Sequence, residues 1–292
     1  MSELCVAAIV DEPSGILTRF VEWYAASGAD RILLFFDNPQ HPALADVARL
    51  PKVTAIPCTP DFWRTLGTSA DTPFTQRQNT VLTHAYHQVQ SGWLLNVDAD
   101  ELVLFQGQTL TERLASLPPD ARSLRVATAE HVTGPGPGAL FRLAMTRPQV
   151  NEVYGTTARL FRRRVGLLGH RAGKSFYRAG QTGIRLRQHW AVDAEGNEIP
   201  AVRVGAAEGC YLLHYLAPHY AQWRSKLEWR LGSSGFPDAV KEELDRLRQT
   251  TADPEAAYRA LYETLHVVDA DRKARLLAAG GLVELPSEYA PI

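Results

Sequence analysis

Continuous apolar runs at Leu4–Val10, Arg31–Phe36, Val53–Pro57 and Trp93–Val97 alternate with segments of helical periodicity, and this alternation constrains the fold more than any other feature. Pro13–Ser27 carries Ile16, Leu17, Phe20, Val21, Trp23 and Tyr24 at helical spacing and is closed by Gly28. Leu44–Leu50 suits a short helix, and Phe74–Gln90 places Val81, Leu82, Ala85, Tyr86 and Val89 on one helical face. Unbroken apolar runs are the mark of strands buried on both faces. Strand, helix and strand in succession predict an α/β chain with a parallel sheet and right-handed crossovers.

Ligands of such sheets bind outside the carboxyl ends of the strands. Here those ends carry Asp11-Glu12, Asp37-Asn38, Asp61 and Asp98-Ala99-Asp100, so polar groups from distant parts of the chain are expected along one edge. The last of these is the densest. The run Trp93-Leu94-Leu95-Asn96-Val97 stops on Asp98, Asp100 and Glu101, and carboxylates left buried without partners cost several kcal/mol, so acids at this point suggest a cation or a cleft.

With 292 residues and 45% hydrophobic content, the chain can bury a substantial core. Its 31 basic and 32 acidic residues nearly cancel, so no global field draws it to nucleic acid or to an anionic membrane. Cys5, Cys58 and Cys210 lie far apart, with neither metal-type spacing nor an even disulfide set, which favours a reducing compartment. Leu4–Val10 follows Met-Ser-Glu without a basic leader and ends at Asp11, too short for a signal or a membrane span. The expectation is a cytoplasmic chain without a transmembrane segment.

Beyond residue 101 the alternation weakens. A short helix is expected near Leu110–Leu117, a strand near Ser123–Ala129, a Gly/Pro loop at Gly134–Gly138 and a basic run at Arg159–Arg164. Such a run is usually a solvated face. From His219 onward Trp223, Leu227 and Leu231, then Ala239–Gln249, Pro254–His266 and Ala270–Ala279, read as helices. The expected organisation is a domain over 1–218 and a C-terminal helical appendage over 219–292, suited to homo-oligomerisation or acceptor binding.

Asp98 and Asp100 would share a face in an extended strand, while a turn could aim both at one hard cation. Mg2+ or Mn2+, with octahedral oxygen shells completed by water and phosphates, would suit such a pair. A solvated turn or helix cap is the plain alternative. Gly173-Lys174-Ser175 is not a P-loop, because Leu168 stands where that motif needs its leading glycine.

The pattern aromatic-apolar-apolar-x-Val-Asp-x-Asp-Glu-apolar, about a hundred residues into an alternating chain, resembles the Asp-x-Asp region of GT-A glycosyltransferases. It is most similar to the family 2-like and family 92-like group. Glu22-Trp23, Gly28-Ala29-Asp30-Arg31-Ile32, Asp37-Asn38, Gly173-Lys174-Ser175 and His214-Tyr215 with Ser225 and Lys226 match further segments of that group. Asp11 replaces its usual Asn, and Pro39-Gln40-His41 replaces the Ser/Thr-Asp-Gly that often follows Asp-Asn. The resemblance covers roughly residues 4–230.

It implies a GT-A fold, Rossmann-like, with a mostly parallel sheet flanked by helices. It also implies a metal-dependent, inverting transfer of a sugar from a nucleotide-sugar donor, a uridine diphosphate sugar, to a hydroxyl of a glycan or other acceptor. In that reading Asp11, Asp37, Asn38 and Arg77 contact the nucleotide, Asp98 the ribose or metal, and Asp100 the metal. Lys174 serves the phosphates or the acceptor, with Arg77 and His214 as further cations. His214 could instead be a third metal ligand or a satisfied core histidine. His170, His189 and Trp190 could line an acceptor pocket. Glu130 is the candidate general base and Glu152 the runner-up, although either could be a surface acid. Two other readings stay open: a non-catalytic nucleotide- or glycan-binding module on the same fold, and a magnesium-dependent phosphohydrolase with an Asp nucleophile.

Overall fold

The apolar runs become strands in the computed structural model, which describes residues 3–232 and 235–291. β1 (Leu4–Val10), β2 (Arg31–Phe36), β3 (Val53–Pro57) and β4 (Trp93–Asn96) pair in parallel in the order β4-β1-β2-β3. Between them run α1 (Ser14–Ala26), α2 (Leu44–Val47), α3 (Pro60–Thr65) and α4 (Phe74–His87). Every residue of β1 is buried, as its unbroken apolar run requires. Alternate β1 residues Cys5, Ala7 and Ile9 join Leu33, Phe35 and the α4 residues Val81, Leu82, Ala85 and Tyr86 in one core.

The chain continues through β5 (Glu101–Phe105), α5 (Leu110–Ala115), β6 (Ser123–Val126), β7 (Thr128–Val132), β8 (Ala139–Arg142) and α6 (Arg147–Tyr154). It then forms β9 (Lys174–Arg178), β10 (Arg185–Leu186), β11 (Ala191–Val192), β12 (Val202–Val204) and β13 (Cys210–His214). The single strand expected near Ser123–Ala129 is two, β6 and β7, broken at Ala127. β9 runs antiparallel between β4 and β6, and β12 lies parallel to β6. The sheet is therefore mixed, with its parallel ladder confined to β4-β1-β2-β3 and to β12-β6. This arrangement is an α/β fold compatible with a Rossmann-like pattern.

α7 (Tyr220–Ser225), α8 (Leu227–Leu231), α9 (Asp238–Thr250), α10 (Pro254–His266) and α11 (Ala270–Ala278) follow, and then β14 (Leu282–Leu285). The chain divides into two compact units. Unit 1 comprises Met1–Ala127 with Ala172–Leu212, and unit 2 Thr128–Arg171 with Leu213–Ile292.

This division differs from the expected boundary at 218/219. Trp223, Leu227, Val240, Leu244, Leu261 and Leu265 share one core with Val132, Val150, Tyr154, Phe161 and Leu168, so the C-terminal helices are integral to unit 2. Their apolar faces need a partner, and the segment from 128 to 171 supplies it. β14 adds an antiparallel strand to β8, which also pairs with β7. The basic run is spent inside the same unit, with Arg159 on Glu243 and Arg163 on Asp238. No helix among the described residues is long and apolar enough to cross a membrane.

Candidate functional site

The acids after β4 form a turn that folds back on itself. The Glu101 N–H donates to the Asp98 carbonyl at 3.0 Å, and the Asp98 N–H donates to Glu101 Oε2 at 2.8 Å. Helix α1 fixes the exit of this turn, because Tyr24 Oη donates to the Glu101 carbonyl at 3.0 Å and accepts from the Val103 N–H at 3.1 Å. Glu101 is fully buried, whereas the Asp98 side chain keeps 37% exposure.

Lys174 enters this turn from β9. The register Trp93↔Arg178, Leu94↔Tyr177, Leu95↔Phe176 brings the start of β9 alongside the end of β4. Gly173 makes the approach possible: its φ is +73°, and a Cβ there would stand 2.0 Å from the Val126 carbonyl oxygen. Lys174 Nζ lies 2.8 Å from Asp98 Oδ2 and 3.4 Å from Glu101 Oε2. Burial alone would lower the Lys174 pKa, but the Asp98 and Glu101 carboxylates outweigh it and hold the ammonium well above its ordinary range. Lys174 is thus a buried, charged counter-ion of the acidic turn.

Asp98 is held on its other oxygen by Gln78, whose Nε2 donates to Oδ1 at 2.7 Å. Gln78 belongs to no sequence motif. Its signal is its place on α4, on the stripe that Val81, Leu82, Ala85 and Tyr86 make apolar, where a buried amide needs a reason.

The strand ends of the parallel ladder carry the other expected residues. Asp37 receives a two-pronged contact from Arg77 of α4, at 3.1 Å from Nε and 2.5 Å from Nη2. The same guanidinium lies 5.7 Å from the ring centroids of Trp63 and Phe74. Asp11 is exposed, and its N–H donates to Glu12 at 3.0 Å. Asn38, also exposed, accepts the Gln40 N–H at 3.0 Å, an Asx turn that closes the strand end. Asp61 is the outlier of the group, paired with Arg64 on the exposed face of α3.

Glu130 and His214 belong to unit 2. Glu130 is 1% exposed and accepts from Arg142 Nη2 at 2.9 Å, from the Leu168 N–H at 2.8 Å and from the Gly169 N–H. Burial alone would raise its pKa, yet Arg142, His214 and the two N–H groups hold the carboxyl below its ordinary value. An acid locked in this way suits a fixed anion and not the proton acceptor expected of it, since a base must reach the acceptor hydroxyl and titrate near working pH. The runner-up, Glu152, is exposed on α6.

Glu130 shapes a loop. Arg164 Nη1 donates to the carbonyls of Leu168 and Gly169, so this dipeptide is gripped through its N–H groups by Glu130 and through its carbonyls by Arg164. A Cβ on Gly169 would meet Glu130 Oε1 and His214 Cε1, each at 2.8 Å. The next residue, His170, presents its imidazole 5.2 Å from that of His214, ring centre to ring centre.

Side chains able to ligate a metal ion are therefore present in each unit: Glu101, beside Asp98, in unit 1, and the His170 and His214 imidazoles in unit 2. Oxygen donors favour a hard ion such as Mg2+ or Mn2+, whereas paired imidazoles favour a transition ion, and the residues select no single metal. His189, tied by Nδ1 to the Gly173 carbonyl at 3.0 Å, and the adjacent Trp190 lie in unit 1. Comparison of the sequence with protein-family models gives no match, and comparison with the curated proteins gives none either.

Proposed function

We propose that the chain is a metal-dependent glycosyltransferase of GT-A type, which moves a sugar from a nucleotide-sugar donor, a uridine diphosphate sugar, to an acceptor hydroxyl. The observation that carries this reading is the acidic turn at the carboxyl end of β4, with Asp98 oriented on both oxygens and still partly exposed. In a parallel α/β sheet this edge is where a nucleotide would lie. The bidentate Asp37–Arg77 pair, flanked by Trp63 and Phe74, stands at the end of β2 on the same edge and supports the same reading.

The roles follow from the chemistry. A divalent ion held by the carboxylates of the turn would neutralise charge that develops on a leaving diphosphate. Lys174 already pairs with the Asp98 and Glu101 carboxylates before any ligand arrives, so little reorganisation is needed during transfer. Glu130 acts as a structural anion in unit 2, and Arg77 orients Asp37 toward the nucleoside.

A second reading has its own observation. Lys174 already neutralises part of the acidic turn, which suits a module that binds a nucleotide or glycan without a metal and without turnover. One experiment separates the two. Thermal unfolding is followed with uridine diphosphate sugars, with and without Mn2+, for the wild type, Asp98→Asn and Asp100→Asn. A ligand that binds only the native state raises the transition temperature. The transferase reading expects a Mn2+-dependent rise that both substitutions abolish. A rise indifferent to metal and to both substitutions would leave the binding module standing, and release of phosphate from simple phosphate esters would favour a phosphohydrolase.

A further inference from the structure

The hairpin β10–β11 ends in a tip, Arg187–Trp190, that is fastened to the strand ends bearing Asp98 and Lys174. The Arg187 N–H donates to the Trp190 carbonyl at 2.7 Å and closes the tip. Asn96 Nδ2, at the end of β4, donates to the carbonyls of Arg187 at 3.2 Å and Gln188 at 3.1 Å. Ser175 Oγ, on β9, donates to the His189 carbonyl at 2.8 Å. The tip is thereby registered against both strands that build the acidic turn.

From this tip one side chain reaches inward. Gln188 Nε2 donates to Gln78 Oε1 at 2.7 Å, and Gln78 Nε2 donates to Asp98 Oδ1 at 2.7 Å. The direction of this relay is forced by chemistry, because an ionised carboxylate can only accept, so Gln78 must turn its amide nitrogen toward Asp98. Its oxygen is then left to accept, and the Gln188 amide nitrogen is the donor that meets it. Gln78 is 2% exposed, so a misdirected amide would leave a buried polar atom unmet.

We infer that Gln78 and Gln188 are positioning residues in series, which hold the Asp98 carboxylate in the orientation used to bind a metal nucleoside diphosphate and couple that orientation to the β10–β11 hairpin. The inference rests on the transferase reading of Asp98. Lys174 fixes one carboxylate oxygen, and the glutamine relay fixes the other. Partners of this kind, one step removed from a ligating group, typically alter metal affinity about 10- to 100-fold when replaced.

The test is calorimetric titration of the full chain with Mn2+ and uridine diphosphate, using Gln78→Met, Gln188→Met, their double variant and Asp98→Asn, with thermal unfolding as the check on folding. Gln78→Met is expected to bind about tenfold more weakly, and Gln188→Met to lose less. Because the two act in series, the double variant is expected to match Gln78→Met, whereas independent structural roles would add. Wild-type affinity in Gln78→Met, alongside loss in Asp98→Asn, overturns the inference and leaves the transferase reading intact. Additive losses in the double variant overturn the relay. Absence of binding by the wild-type chain overturns the reading on which both rest. Should Gln78→Met fail to fold, Gln188→Met, placed at the half-buried hairpin tip, carries the decision through its ratio to the wild type.

Discussion

Two carboxylates, one in each unit, are held by a buried cation, and they differ in what surrounds them. In unit 2 Glu130 and Arg142 are each 1% exposed, with the remaining carboxylate valence taken by the Leu168 and Gly169 N–H groups. In unit 1 Lys174 is 1% exposed, but its partner Asp98 retains 37%. The first arrangement is closed on itself and organises a loop. The second is anchored from within and open at one end, which is what a binding group needs. Ion pairing is therefore common to both acids, and what separates them is exposure, which leaves the Asp98 carboxylate within reach of solvent and Glu130 out of it.

The largest effect is expected where the pair is closed. Glu130→Ala would leave the Arg142 guanidinium buried without its carboxylate, at a cost of about 3–5 kcal/mol in chemical denaturation. Replacing both partners by apolar residues, Glu130→Leu with Arg142→Met, is expected to recover most of that loss. Because the Glu130 pKa lies below its ordinary value, its contribution is fully present above about pH 4.5 and is lost as the pH falls through the folded value. A double variant as unstable as the single one would show that the Leu168–Gly169 grip, and not the buried charge, sets the cost.

The half-open pair should respond less. Lys174→Met removes the ammonium from both acids, but Asp98 can turn its charge to water and the fully buried Glu101, whose Lys174 contact is the longer at 3.4 Å, keeps the Asp98 N–H, so about 2–3 kcal/mol is expected in the same assay. The same variant should lose any Mn2+-dependent nucleotide binding, whereas Glu130→Ala, once folded at low temperature, should retain more of it. Equal losses of binding in the two would erase the contrast between the units.

How much of this was legible in the sequence depended on whether the signal was local. Strands β1 to β4 and helix α4 follow from apolar runs and helical stripes, which the chain carries within single segments. The acidic turn was visible for the same reason. The ion pair of Lys174 with Asp98 spans 76 positions and depends on the antiparallel insertion of β9, which no periodicity announces. Glu130 looked like a reactive acid because its partners, Arg142, Leu168 and Gly169, are brought to it by pairing of β7 with β8 and by a loop. Helical periodicity beyond His219 does mark helices, yet periodicity carries no information about what those helices cover. Gln78 was legible in principle, as an amide on an apolar stripe.

A third buried site in unit 2 gives a smaller effect that depends on pH. His266 is 3% exposed and stacks on Tyr262 at 4.9 Å. Burial first, and then the neighbouring Arg142, Arg230 and His131, hold its pKa well below 6.5. The folded state therefore favours the neutral imidazole, and the unfolded chain binds the extra proton. Stability from this residue is fully present above about pH 6.5 and falls on acidification, by up to about 1.4 kcal/mol per pH unit until the folded pKa is reached. Urea denaturation at pH 7.5 and 5.5 should reveal that slope, and His266→Phe, which keeps a ring to stack on Tyr262, should flatten it. An unchanged slope in His266→Phe would assign the acid sensitivity to other groups.

The smallest effect is expected where both partners of an ion pair are open to water. Asp46, on α2, and Arg49, just after it, lie 3.3 Å apart with side chains 74% and 79% exposed. Solvent screens their attraction, and holding two mobile side chains together costs entropy, so Asp46→Ala should change stability by less than about 0.5 kcal/mol. Comparison with Lys174→Met and Glu130→Ala then gives three ion pairs graded by exposure, at similar separations but with very different surroundings. If Asp46→Ala were as costly as Lys174→Met, distance and not desolvation would rank these pairs, and the partial exposure of Asp98 would lose its value as a mark of function.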